Sequence, residues 1–434
     1  MQAEISGDLW YADRLELAAF NAMPGAFMNG SMWSMMYFQQ GNKLDAVDGH
    51  AGSCEGGPTY AYGMVYECCV ANHMQVQCAH CTPVGTFALI PGRGSVACLF
   101  AWADHLRVFF SLPNRTPARS TRMSINLLDD CWHWQGWPKF AQRQFARTQS
   151  GGLAILQYFG STTGDFTLGS KQHDDNGAAA TVSANVTTDY PFSGDVTITL
   201  RSSAPLEFEL RIPGWASDGS TVQVGSASKP EAAANGTMHK VPLPAGLTLI
   251  TLALPMVPRL EPTGINGSVV VKRGPLVYVA PREIAAIDGK GVYDDGPGLL
   301  PKGQPHGRDN YILATDEWRH VIFRNSSIRE TPPRKDLPTP PPGQGVFSRS
   351  LVPAPTLTVS AATLPASAWG DRTPDGEGQT SFPCGGSTSI NGYVHATAAS
   401  PPVVDGAECA GGMRPLQLVP YGATDVRVAV FPAV

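Results

Sequence analysis

Residues Leu206-Glu207-Phe208-Glu209-Leu210-Arg211-Ile212, followed at once by Pro213-Gly214-Trp215-Ala216, decide the fold. Successive side chains of an extended chain point to opposite faces, so Leu206, Phe208, Leu210 and Ile212 share one face and the charged residues the other. An unbroken period of two predicts a strand that buries one face of a sheet. Asp195–Arg201 repeats the pattern, with Val196, Ile198 and Leu200 set against Thr197 and Thr199. With the apolar runs Leu247–Leu254 and Gly267–Ala280, these strands read as an antiparallel β-sandwich over 153–285.

Working outward, the chain changes character on both sides. Upstream, Leu9 to Ala22 has helical spacing, and Leu15, Ala18, Ala19 and Ala22 form the apolar stripe expected to face a core. Pro24 with Gly25 ends that helix. Met28 to Phe38, rich in Met and Trp, reads as packing core. Downstream, eight prolines between Pro332 and Pro355 mark 286–355 as loop and Pro-rich linker. Thr356–Val359 and Asp425–Phe431 read as strands of a C-terminal β-sandwich remainder over 356–434. Residues 76–135 show no clear periodicity, which is unusual for a long segment inside a compact domain.

Composition narrows the function classes. The net charge of -5 and the absence of a Lys/Arg-rich run argue against nucleic acid as a partner. No apolar run reaches the roughly 18 residues that a membrane helix needs, so no membrane partner is expected. The first residues show neither the basic nor the apolar region of a secretion leader. Six Asn-x-Ser/Thr sequons, at Asn29, Asn114, Asn185, Asn235, Asn266 and Asn325, point to a secreted parent protein. Nine cysteines cannot all pair with one another. Cys384 and Cys409 either form a disulfide or are two reduced loop thiols.

The chemically distinctive feature is the adjacent pair Cys68-Cys69, in Tyr66-Glu67-Cys68-Cys69-Val70-Ala71-Asn72-His73. Neighbouring thiols bridge each other only with backbone strain, so such a pair reads either as soft-metal or thiolate chemistry or as two small buried apolar residues. Cys78-Ala79-His80-Cys81 suggests zinc or redox work, but no second half-site at zinc spacing follows, since Cys98 and Cys131 stand alone. His73 reads as a sugar-binding or a capping residue, and Asp174-Asp175 after His173 resembles a Ca²⁺-like cluster but, with Asn176-Gly177 following, is more simply a polar turn. Trp137 and Trp215 are candidates for stacking on a sugar ring, with buried packing the plainer reading.

Several stretches, taken in order, resemble one family. They are Gly7–Glu16, Phe20–Pro24, Trp33–Asn42 (WSMMYFQQGN), Cys68-Cys69, Gly136–Phe140, Arg211–Ala216, Lys272–Tyr278 and Val419–Asp425. Together they resemble the β-L-arabinofuranosidase family, glycoside hydrolase family 127, in particular its eukaryotic-looking members. The resemblance implies a mixed α and β protein: the C-terminal part of an (α/α)6 barrel over 1–75 and 136–152, followed by antiparallel β-sandwich domains. It resumes at Gly136 as though residues 76–135 were inserted. Val76 can open and Gln135 can close a splice signal, so the segment is expected to be an irregular insertion, either a translated retained intron or a genuine lineage-specific loop.

The resemblance also implies a retaining glycosidase acting on an arabinose-containing glycan or glycoprotein, in the secretory pathway or outside the cell. Cys68 would be both nucleophile and zinc ligand, and Cys69 a zinc ligand. The family's remaining zinc ligands, in a Glu-x-Cys motif, and its acid/base Glu find no match before Cys68. The expectation is therefore an N-terminally truncated member, inactive as it stands and doubtful in its zinc. The alternative is a non-catalytic remnant whose β-sandwich binds carbohydrate or only packs.

Overall fold

The computed structural model describes residues 7–29, 31–35, 41–44, 140–168, 174, 177–290, 309–334, 336–338, 347, 351–369, 371–372, 397–398, 400–405 and 409–434. Its architecture is mostly β. A seven-stranded sheet runs in the order Glu231–Ala232, Thr221–Val224, Gly246–Ala253, Asp195–Ser202, Thr181–Thr188, Ser161–Thr162, with Phe166–Thr167 also paired to Thr181–Thr188. A four-stranded sheet runs Thr237–Leu243, Leu206–Ile212, Leu153–Ile155, Phe145–Arg147. The inward residues of both sheets belong to one hydrophobic cluster, as the two layers of a sandwich do, and that cluster continues into the sheet built by Val269–Arg273, Leu276–Pro281 and Thr356–Thr363.

The alternation read from the sequence appears directly in burial. Leu206 is 5% exposed, and Phe208, Leu210 and Ile212 are wholly buried. On the opposite sheet Val196, Ile198 and Leu200 face the same core. One pairing departs from the antiparallel expectation: Leu153–Ile155 runs parallel to Leu206–Ile212, with Leu153 opposite Phe208. Leu153–Ile155 is buried at every position, as suits a strand covered on both sides.

The expected barrel contribution of 136–152 gives a different result among the described residues. Phe145–Arg147 is a strand, paired antiparallel with Leu153–Ile155. The turn between them depends on glycine. Gly151 sits at φ 94°, and a Cβ on Gly152 would lie 2.3 Å from the carbonyl oxygen of Glu207. Helix is sparse elsewhere, and the barrel is not seen among the described residues. Trp10–Leu17 is α-helical, Ala18–Ala22 widens to a π turn, and Met23–Gly25 closes it.

The helix buries another stripe than the one expected. Ala12, Glu16, Ala19 and Phe20 are buried, whereas Leu15 is 38% exposed and Ala18 and Ala22 face outward. Helical periodicity gave the period correctly but placed the inward face by hydrophobicity alone. The following Met/Trp-rich segment starts as a hairpin, with Met28 opposite Ser31 and Asn29 at φ 49°. Asn29-Gly30 is the two-residue hairpin signal.

A third sheet, of eight strands, follows the order Arg259–Pro262, Val269–Arg273, Leu276–Pro281, Ala410–Pro420, Thr356–Thr363, His320–Ile322; Arg329–Thr331 pairs Thr356–Thr363 and Arg427–Val428 pairs Leu276–Pro281. The sheet boundary thus falls after Ala253, because the strands between 259 and 281 pair with the C-terminal ones. Strands Ile284–Lys290, Asp309–Ala314, His320–Ile322 and Arg329–Thr331 occupy part of the stretch read as linker. The final strand is only Arg427–Val428, all of 426–429 is buried rather than alternating, and Phe431 adds an isolated bridge to Val269.

Leu210 and Leu249 test the assignment of faces, being respectively 0% and 40% exposed. Leu210→Ala should lower unfolding stability by about 2–5 kcal/mol, as large-to-small core changes do. Leu249→Ala should cost less than about 1 kcal/mol. Urea unfolding followed by tryptophan fluorescence gives both numbers, and equal losses would refute the burial pattern.

Candidate functional site

The strongest concentration of polar chemistry among the described residues lies where helix Trp10–Leu17 crosses strand Leu206–Ile212. By alternation Arg211 belongs on the wet face with Glu207 and Glu209, yet it is fully buried. The helix covers it, and Asp13 and Glu16, three residues apart, sit on one helical face above it. Arg211 Nη1 donates to Asp13 Oδ1 at 2.5 Å, Nη2 donates to Glu16 Oε1, and Nε donates to the carbonyl of Leu156 at 2.5 Å. The planar guanidinium has donors in all these directions at once, which lysine lacks.

Other groups complete the carboxylates. Tyr190 donates its hydroxyl to Glu16 Oε1 at 2.7 Å, and Trp215 Nε1 donates to Glu16 Oε2 at 3.3 Å. The backbone N–H of Gly214 reaches Asp13 Oδ2 at 3.0 Å, and a Cβ at that glycine would lie 2.7 Å from the same oxygen. Tyr158 donates to the Arg211 carbonyl, and its ring lies 5.9 Å from the guanidinium carbon. The turn Ile212-Pro213-Gly214-Trp215 therefore binds the helix through backbone and side chain together.

Burial pushes the Glu16 carboxyl above its ordinary value, opposed by the Arg211 charge, and Asp13 moves the same way for the same reasons. Burial opposes the Arg211 charge, but Glu16, Tyr190 and Asp13 hold it above its ordinary value. Burial, then Glu16, raises Tyr190, so its hydroxyl stays a donor. Glu16 is wholly enclosed, with donors on both oxygens. Such a group has no route to a substrate, and the cluster acts as a junction rather than as a reacting centre.

A second set of contacts ties the same N-terminal segment to the eight-stranded sheet. Asn21 donates to the carbonyl of Pro275 at 2.9 Å and accepts from the N–H of Val277 at 2.7 Å. Gly25 lets Tyr421 approach, because a Cβ there would meet its ring at 2.5 Å, and Arg427 stacks 3.9 Å over that ring. Asn42 accepts from Ala429 and Val430 and donates to the Val430 carbonyl. Lys43 and Arg427 exchange backbone hydrogen bonds of 2.9 and 2.6 Å, and Arg282 donates to the carbonyl of Leu44.

Cys68 and Cys69 lie outside the described residues, as do Glu67, His73, Cys78, His80, Cys81, Cys98, Cys131, Trp137 and Cys384. The segment that carries the cysteine pair leaves the described structure at Leu44 and re-enters at Phe140, each 1% exposed. Asp174 forms a polar turn, accepting from the N–H of Ala178 at 2.9 Å. Trp215 packs beside Tyr190, with ring centroids 6.3 Å apart, and spends its N–H on Glu16. Among the described residues no three His, Cys, Asp or Glu side chains are grouped to hold a metal ion. Sequence reasoning missed the Asp13–Glu16–Arg211 cluster, whose only trace is an arginine ending an otherwise regular strand.

Residues 167–256 match the family described as Beta-L-arabinofuranosidase, GH127 middle domain. The family resemblance read from the sequence is borne out over that span. No curated protein sequence matches the chain. Among solved structures, one titled a glycoside hydrolase has 14% identity and TM-score 0.49, covering 100% of this chain and 50% of that one. A GH127 beta-L-arabinofuranosidase from Geobacillus stearothermophilus T6 has 16% identity and TM-score 0.46, covering 100% and 48%. A further GH127 beta-arabinofuranosidase has 14% identity and TM-score 0.46, covering 99% and 46%. The chain thus spans about half the length of these structures.

Removing Arg211 should be costlier than removing any exposed charge. Arg211→Ala strands buried Glu16, and a loss of about 3–5 kcal/mol is expected. Arg211→Lys should fall between wild type and Arg211→Ala, because it restores charge without the fork. Urea unfolding ranks the three, and an Arg211→Ala loss below about 1 kcal/mol would remove the junction from its structural role.

His320 supplies a pH dependence. Burial first, then the Arg414 charge, lowers it to about 4, and its buried Nδ1 has no hydrogen-bond partner. Folding depresses this value, so the unfolded chain binds the extra proton between the ordinary 6.5 and about 4. The contribution is complete above pH 6.5 and is lost as pH falls to about 4, by roughly 3 kcal/mol in all. The stability difference between wild type and His320→Gln should therefore shift by that amount across the window, whereas a constant difference would contradict the buried neutral imidazole.

Proposed function

We propose that this chain is part of a glycoside hydrolase of the β-L-arabinofuranosidase type, which cleaves arabinose from plant or algal glycans or glycoproteins. The observation that carries this reading is the middle-domain match over 167–256, which begins at strand Phe166–Thr167 and ends just past Gly246–Ala253. The segment with Cys68 is held at both flanks against these β layers, through Leu44 on one side and Phe140 on the other.

Cys68 is the proposed nucleophile. As a thiolate its sulfur attacks the anomeric carbon, the glycosidic C–O bond breaks, and a carboxylic acid protonates the leaving oxygen. Water then displaces the sulfur with the conjugate carboxylate as base, so the sugar keeps its anomeric configuration. Two thiolates are donors that zinc accepts, and Cys68 and Cys69 would hold it, while zinc when bound keeps both cysteines deprotonated at neutral pH. The pair fills half of a tetrahedral set, so further donors are required. The proposed site of action is the secretory pathway or the cell exterior, in keeping with the six sequons.

Release of arabinose from an aryl β-L-arabinofuranoside, with bound zinc measured in parallel, tests this. It is run on the 434-residue chain and on a form extended with its genomic upstream sequence and lacking residues 76–135. In whichever form is active, Cys68→Ala should abolish turnover, Cys69→Ala should chiefly weaken zinc, and transfer to methanol should give the β-glycoside. Turnover that survives Cys68→Ala would refute the nucleophile. Absence of arabinose release in both forms would refute the glycosidase reading in favour of a non-catalytic remnant.

A further inference from the structure

The sequons are not equivalent once the chain is folded. Five of the six begin in the described residues, and their surroundings divide them. At Asn266 the backbone is at φ 47°, the side-chain amide nitrogen donates to the carbonyl of Pro401 at 3.0 Å, and the sequon hydroxyl, Ser268, is completely buried. At Asn29 the backbone N–H is fixed to buried Asp425 at 2.6 Å, and the residue is half-buried. A glycan at Asn266 would displace the hydrogen bond from its amide to Pro401, and one at Asn29 would start from a half-buried residue whose backbone is fixed to buried Asp425. Asn185 is exposed on a strand, but its Oδ1 accepts from Thr162 at 2.7 Å and its Nδ2 faces the hydroxyl of Thr187 at 3.5 Å.

Asn235 and Asn325 differ from all three. Ala234-Asn235-Gly236-Thr237 is exposed at every residue and forms the turn between Glu231–Ala232 and Thr237–Leu243, with Gly236 at φ 68°. Asn325 is exposed in the turn after His320–Ile322, with Ser327 of its sequon also exposed. The side-chain amides of Asn235 and Asn325 project from turns, where a bulky substituent displaces neither ladder nor core.

We propose that Asn235 and Asn325 are N-glycan attachment sites. The co-reactant is a lipid-diphosphate-linked oligosaccharide. The amide Nδ2 forms a bond to the sugar's anomeric carbon, the C–O bond to the diphosphate breaks, the lipid diphosphate leaves with the bonding pair, and one amide proton passes to the transferase. The assignment rests on exposure and hydrogen bonding alone and stands independently of any glycosidase activity.

The test is expression of the full chain behind a secretion leader in a eukaryotic cell. Peptide N-glycosidase digestion in 18O water then marks each formerly glycosylated asparagine for mass spectrometry. Secreted and cell-retained chains are both read, so poor secretion does not hide the outcome. Expected are glycans at Asn235 and Asn325, with Asn235→Gln and Asn325→Gln each removing one mobility step and leaving thermal stability unchanged, and little occupancy at Asn29 and Asn266 in the secreted chain. Absence of glycan at Asn235 or Asn325 in both fractions, or equal occupancy at Asn266 in the secreted chain, would overturn the proposal.

Discussion

A buried guanidinium tolerates no loose arrangement around it, and the structure depends on how Arg211 is satisfied. Its positive charge is far from water, so its partners must be carboxylates and carbonyls in fixed places. Asp13 and Glu16 come from almost two hundred residues earlier in the chain, and the Leu156 carbonyl from the neighbouring strand. Tyr158, Tyr190 and Trp215 complete the shell and exclude solvent. The ion pair orients the helix on the sandwich. Its net energetic contribution is modest, but breaking it leaves an uncompensated charge.

The same helix continues into contacts with the eight-stranded sheet, so residues 10–25 and 42–44 join that sheet to the sandwich. Asn21 mimics a strand by bonding the Pro275 carbonyl and the Val277 N–H at the start of strand Leu276–Pro281 at once. Asn42 does the same near the C-terminus. Side-chain amides suit this work because they offer donor and acceptor together without charge. These contacts therefore tie together the sandwich, most of whose strands lie within the matched residues 167–256, and the eight-stranded sheet, which lies beyond that match.

This arrangement bears on the proposed chemistry. A nucleophile needs a fixed position relative to its acid, and the described structure fixes the two flanks of the segment that bears Cys68. Leu44 is anchored by Arg282, which also binds Asp316, and Phe140 packs edge-on against Phe20 at 5.4 Å between centroids. Functional groups are commonly positioned by a rigid scaffold, and here the junction residues belong to that scaffold.

The sequence by itself determined the sandwich. Period-two alternation in Leu206–Ile212 and Asp195–Ser202 depends only on strand geometry and hydrophobicity, which are local, and so does the helix around Trp10–Leu17. The family resemblance was legible too, through residues such as Arg211–Ala216 whose spacing is fixed by a turn. Only the tertiary structure decided which face of the helix is buried. Glu16 looks like a solvent-facing residue until Arg211 lies beneath it, and Leu15 looks like core until that stripe points outward. Burial of a charge depends on a partner distant in sequence, and no local pattern contains that partner. Strand partners beyond the hairpin follow the same rule: Leu153–Ile155 beside Leu206–Ile212, and Leu276–Pro281 beside Ala410–Pro420, are choices made by packing across long loops, to which alternation is indifferent.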